Sequence, residues 1–174
     1  MLGNEAGKVI PFRIYGAILV LVVGSIATAQ QALEGQVTGL DIPRFISMKS
    51  GSANVRRGPS TSNRVDWVLR HRGTPLIVLA EYQEWFRVED VDGEGGWVHT
   101  KLLSPRRTIL VQEDLVALRE TPSSSARKLA RLEAGVVLLL GVCHPNWCEA
   151  SIDGLTGWLP KSGIWGVTPD ELIE

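Results

Sequence analysis

Beyond residue 30 the apolar positions come in short runs, each closed by a turn rich in glycine, proline, asparagine or aspartate. Pro75–Ala80 (PLIVLA) and 136–140 (VVLLL) are too short for ordinary helices and carry branched residues that suit a pleated surface. Each is followed by a polar turn, 81–84 (EYQE) and 144–146 (HPN), and then by a return segment, 85–88 (WFRV) and 147–150 (WCEA). Asp92-Gly93 and Asp153-Gly154 mark tight hairpins, because aspartate and glycine tolerate the positive φ angles that such turns require. The only stretch with helical spacing, 125–132 (SARKLARL), is hemmed in by Pro122 and Gly135 and is read as one turn or part of a strand. The pattern predicts an all-β protein.

The same grammar occurs twice. Val55-Arg56-Arg57-Gly58-Pro59-Ser60 recurs as Leu118-Arg119-Glu120-Thr121-Pro122-Ser123, and Leu69–Gly73 answers to Leu132–Gly135 with one residue lost. Trp85 matches Trp147, and Gly96-Trp97-Val98 matches Gly157-Trp158-Leu159. A repeat with its gaps in turns predicts one small fold used twice. The expected organisation is a first unit over 45–104, a joint at 105–107 and a second unit over 108–167. Residues 30–44 read as a loosely held leader and 168–174 as a short tail. So brief a joint leaves little slack, which predicts that the two units pack together.

The N-terminus differs in character. Lys8 and Arg13 precede an uncharged run, Ile14–Ile26, that ends in Ala27-Thr28-Ala29. A basic segment, a short apolar core and a small-residue exit predict a secretory signal over 1–29, cleaved after Ala29. The run is shorter than a hydrocarbon-spanning helix, so no membrane span is expected in the mature protein. An uncleaved anchor is the alternative. Removing the segment takes away Lys8, Arg13 and Glu5 and moves the net charge from −1 to −2. With no basic surplus, nucleic acid is excluded as the expected partner.

The string Asn54-Val55-Arg56-Arg57-Gly58-Pro59-Ser60, the apolar strand after it, Trp85 and Gly96-Trp97-Val98 together resemble the bacterial SH3-like domain. The whole is similar to the tandem form in exported bacterial proteins, which often opens with a segment like 42–47 (IPRFIS) and carries a Trp-Cys strand in its second unit. The resemblance covers about 42–167. The second unit departs from it, with Glu120-Thr121 before Pro122 and Ala117 in place of asparagine. It implies two tandem SH3-like β-barrels at the cell envelope, where related domains bind peptidoglycan or its peptides or target an attached hydrolase.

Cys143 and Cys148 flank a four-residue loop. If that loop closes a hairpin, the two face each other within disulfide range. An exported protein meets an oxidising compartment, so a bridge is expected. Zinc lacks a fourth ligand beside His144, and a catalytic thiol lacks a base in its own unit, since His71 and His99 lie in the other. No metal or cofactor is expected.

The paired tryptophans Trp85/Trp147 and Trp97/Trp158 read as barrel filling. Trp67 has Ala130 as its counterpart, and Tyr82 occupies a turn whose equivalent is not aromatic. These two are candidates for a groove that stacks a peptide or sugar. Arg56 and Arg119 recur and read as loop-bracing groups, whereas Arg57, opposite Glu120, is the candidate contact for an anionic ligand. Arg64, Arg70, His71 and Arg72 read as a solvated basic face. No nucleophile elbow, phosphate loop or metalloenzyme spacing occurs. The expectation is therefore a non-catalytic exported binding or scaffold module whose partner is peptidoglycan or a peptide. An interaction protein docking an envelope partner is the alternative, and an enzyme or hydrolase accessory a remote one.

Overall fold

The computed structural model describes residues 33–174. The signal segment expected over 1–29 lies outside the described residues. A short hairpin of β1 (Leu33–Glu34) and β2 (Asp41–Ile42) leads into the first barrel. That barrel consists of β3 (Arg44–Met48), β4 (Ser52–Arg56), β5 (Val65–Arg70), β6 (Pro75–Tyr82), β7 (Trp85–Glu89), β8 (Gly95–His99) and β9 (Leu103–Ser104). The second consists of β10 (Thr108–Val111), β11 (Val116–Arg119), β12 (Lys128–Leu132), β13 (Val137–Cys143), β14 (Trp147–Ile152), β15 (Leu155–Pro160) and β16 (Ile164–Trp165). Hydrogen-bonded order is β5-β4-β8-β7-β6-β3-β9 in the first and β12-β11-β15-β14-β13-β10-β16 in the second. One topology is used twice, as the repeat predicts. The segment 125–132 holds β12 and no α-helix. No helix among the described residues is long and apolar enough to cross a membrane.

Alternation places the core. In β4, Ala53 and Val55 point inward and are buried, while Ser52 and Asn54 stay exposed. They join Ile46, Met48, Leu76, Val78, Val88 and Val98 in one cluster. The second barrel closes on Ile109, Val111, Leu118, Leu138, Ala150 and Leu159, with both cysteines inside. Each buried Val, Leu, Ile or Met among them stabilises by about 1.5–3 kcal/mol.

The repeated Gly-Trp pair has a steric origin. A Cβ at Gly96 would lie 2.8 Å from the Arg56 carbonyl oxygen, and one at Gly157 2.7 Å from that of Arg119. Only glycine lets β8 and β15 approach β4 and β11 that closely.

Hydrogen bonds and an aromatic pair join the barrels. Thr108 Oγ1 donates to the Gly73 carbonyl and Ser47 Oγ to the Arg106 carbonyl, both at 2.6 Å. Phe45 meets Trp165 edge-on, with ring centroids 5.1 Å apart.

Residues 33–44 of the leader are tied to the first barrel. The leader's turn is seized by Glu81, whose side chain is fully shielded from solvent. One Glu81 oxygen accepts the N–H groups of Val37 and Thr38 at 2.9 Å, and the other accepts Thr38 Oγ1 at 2.7 Å and the Arg44 guanidinium. The tail is equally fixed. Ile173 exchanges backbone hydrogen bonds of 2.8 and 3.1 Å with Cys143, and Glu171 receives both guanidinium branches of Arg107 at 2.8 and 3.1 Å.

Candidate ligand-binding cleft between the barrels

Trp67 projects from β5 opposite Val55 and packs half-buried against the first core. Its free side forms one wall of a cleft of about 310 Å³. Trp165 of β16, Leu110 of β10 and Val137 of β13 supply the other wall, so the cleft exists only because two barrels meet. Its volume falls at the small end of the range of ligand pockets.

Polar groups collect at the rim. Arg70 ends β5, and His71 follows at φ 72°, a left-handed conformation uncommon for a residue with a side chain. Thr74 fixes that turn by donating its hydroxyl to the carbonyls of Arg70 and His71, at 3.2 and 2.8 Å. Asp90 borders the same cleft. One of its oxygens accepts the N–H groups of Asp92 and Glu94, both at 3.0 Å, which orders the β7–β8 turn.

The residues singled out from the sequence do not share one cleft. Trp67 lines the cleft between the barrels. Arg57 lines another, polar cleft of about 480 Å³ beside Arg87, Glu94 and Trp97. There it faces Asp66 at 3.3 Å, so its charge already has a partner. Hydrogen bonding from Arg64, reinforced by Arg57, holds the Asp66 carboxyl below its usual range. Tyr82 stands at the tip of the β6–β7 hairpin, 47% exposed, paired with Trp85 across the strands and bordering neither cleft. Trp165, Leu110 and Val137 do belong to Trp67's cleft. Reading each unit alone hid them, because only the docking of the barrels brings them there.

The recurring arginines and the two cysteines have defined partners. Arg56 Nη1 donates to the carbonyls of Thr61 and Asn63, at 2.9 and 2.6 Å, and Arg119 Nη1 to that of Ala126 at 2.8 Å. Both arginines brace the loop after β4 or β11. Of the paired tryptophans expected to fill the barrels, Trp85 is buried and tilts over His99, with centroids 5.1 Å apart, whereas Trp97, Trp147 and Trp158 are half-buried outside the core clusters. Cys143 and Cys148 are paired across β13 and β14, with Cα atoms 4.1 Å apart, and form a disulfide. Among the described residues, no cluster of three or more His, Cys, Asp or Glu side chains is placed to hold a metal ion.

A family model described as bacterial SH3 domain matches the chain twice, over residues 49–105 and 112–166, together more than half its length. No curated protein matches. Similar solved structures include NlpC2 from Trichomonas vaginalis, at 11% identity and a TM-score of 0.33, covering 71% of this chain and 48% of that one. NlpC1 from the same organism is 9% identical with a TM-score of 0.33, over 75% and 48% of the two chains. An NlpC/P60 family protein from Bacillus cereus ATCC 10987 is 13% identical with a TM-score of 0.31, over 70% and 55%. The chain thus spans about half the length of these proteins.

Proposed function

Because the chain belongs to the bacterial SH3 domain family, we propose that it is an exported, non-catalytic binding module that takes a peptidoglycan-derived peptide into the cleft between its two barrels. The observation that carries this reading is Trp67. It is an aromatic wall present in only one of two equivalent strands, and it opens onto an apolar cleft with a polar rim. Such a site buries an apolar side chain against an aromatic face and orients it by a few polar contacts. The buried disulfide supports placement in an oxidising compartment outside the cytoplasm.

Retention on purified sacculi tests the proposal. The wild-type protein is expected to be retained and Trp67→Ala to be lost several-fold, both variants being checked for equal folding by near-ultraviolet circular dichroism. Equal retention, or none in either, overturns the peptidoglycan reading. A single dominant protein neighbour in proximity labelling would then favour docking to an envelope protein.

A further inference from the structure

We propose that the cleft between the barrels recognises the free carboxyl terminus of a short aliphatic peptide. Arg70 is to hold the carboxylate and Asp90 an N–H of the peptide backbone. The inference rests on the reading of that cleft as the binding site and adds the chemistry of its ligand.

The argument begins with charges at the rim that have no work within the protein. Among the described residues, the guanidinium groups of Arg70, Arg72, Arg106 and Arg131 make neither an ion pair nor a hydrogen bond, whereas Arg57, Arg64, Arg107 and Arg127 each meet a carboxylate. Of those four without a partner, Arg70 is the one that lines the apolar cleft, where its planar donor fork is available. A carboxylate is the group that fits such a fork with two parallel hydrogen bonds.

Asp90 is occupied on one side only. Its Oδ1 is committed to the N–H groups of Asp92 and Glu94, while Oδ2 has no donor among the described residues. A fixed carboxylate oxygen at the rim of a cleft suits a backbone N–H and gives no role to a fatty acid. The apolar wall made by Trp67, Trp165, Leu110 and Val137 calls for aliphatic side chains. A cleft of about 310 Å³ that opens to solvent takes up a few small side chains.

The strained turn at His71 is consistent with this assignment. A left-handed residue held by the Thr74 hydroxyl fixes the direction in which β5 ends, and so where Arg70 emerges. The second barrel has no such site, because Ala130 stands where Trp67 does.

Tryptophan fluorescence titration of the whole chain with three probes provides the test. These are the tripeptide Ala-Ala-Leu as its free acid, the same tripeptide as its C-terminal amide, and hexanoate. The acid is expected to bind about tenfold more tightly than the amide, the scale of one charge-assisted contact, and more tightly than hexanoate, which lacks the N–H. Arg70→Gln is expected to abolish the preference for acid over amide. Arg70→Lys is expected to restore part of it. Arg70 is exposed, so these variants are expected to keep the wild-type melting temperature. Trp67→Ala is expected to weaken acid and amide alike.

Equal binding of acid and amide overturns the carboxylate assignment. If both remain sensitive to Trp67→Ala, the cleft itself stands as the binding site. Binding of hexanoate as tight as that of the acid overturns the role of Asp90. If neither peptide binds, the proposal falls, and sacculus retention decides the broader reading independently.

Discussion

Glu81 places a carboxylate where solvent cannot reach it, a costly arrangement unless every lone pair is used. Burial pushes its carboxyl up, but hydrogen bonds from Thr38, Arg44 and Val37 outweigh that effect and lower it from 4.5 to about 2. A carboxylate with a depressed native value contributes stability that is present above its unfolded value and is lost as pH falls through the folded one. The protein is therefore expected to lose about 3 kcal/mol between about pH 4.5 and pH 2 from this residue. Urea unfolding of wild type and Glu81→Gln across that window measures it, since the variant lacks this slope. Glu81→Ala, which leaves the half-buried Arg44 unpaired and the Val37 and Thr38 N–H groups without their acceptor, is expected to cost about 3 kcal/mol at neutral pH. Nothing in the sequence marked Glu81. The sequence reads it as part of a Glu-Tyr-Gln-Glu turn, where carboxylates are ordinarily solvated, whereas it lies in β6 opposite Phe86. Gly96 and Gly157 stood out in the sequence only as members of the repeat, because the close approach that reserves them for glycine is to Arg56 and Arg119 on strands distant in sequence.

Among elements, the repeat extends further than the sequence motif. Arg44 at the start of β3 and Arg107 immediately before β10 occupy equivalent positions, and each pins the segment that flanks its barrel. Arg44 does so through Glu81, which holds the leader turn, whereas Arg107 binds Glu171 of the tail itself. Glu81 pairs with Phe86 as Cys143 pairs with Cys148, so the first barrel has a buried carboxylate where the second has half of a disulfide. The same place on the fold secures a terminal segment by side chain in one barrel and by backbone in the other. Reducing the disulfide is expected to raise the mass by 2 Da and to cost about 2 kcal/mol by releasing a short loop. It is also expected to accelerate amide exchange at Ile173, whose two backbone bonds go to Cys143. Unchanged exchange at that amide would show that the clasp and the tail are independent. The hairpins, their turns and the clasp were readable from residue type. The grouping of Trp67 with Tyr82 was not, because β6 and β7 carry the Tyr82 turn beyond the cleft that Trp67 lines.

For the whole molecule, the decisive event is the docking of the barrels. It creates the cleft, and no local pattern encodes it beyond the brevity of the joint. Phe45 is nearly buried at the seam, with Trp165 at its edge and the Arg107 guanidinium 5.4 Å from its ring centroid. Phe45→Ala is expected to remove about 3 kcal/mol or more and to split a single calorimetric transition into two. A single transition at an unchanged temperature would mean that the barrels hold together without it.

The bounds of each barrel also set where the chain divides into transferable parts. β3 and β10 lie before residues 49 and 112, at which the two family matches begin, yet each sits between two neighbours within its sheet. Ile46, Met48, Ile109 and Val111 on those strands are buried. A barrel excised at the start of its match and grafted into another protein would carry an open seam where that strand belongs, inviting a strand from a second copy to fill it. The unit that can be moved intact begins at Arg44 or Arg107, and its flanking segment has to travel with it.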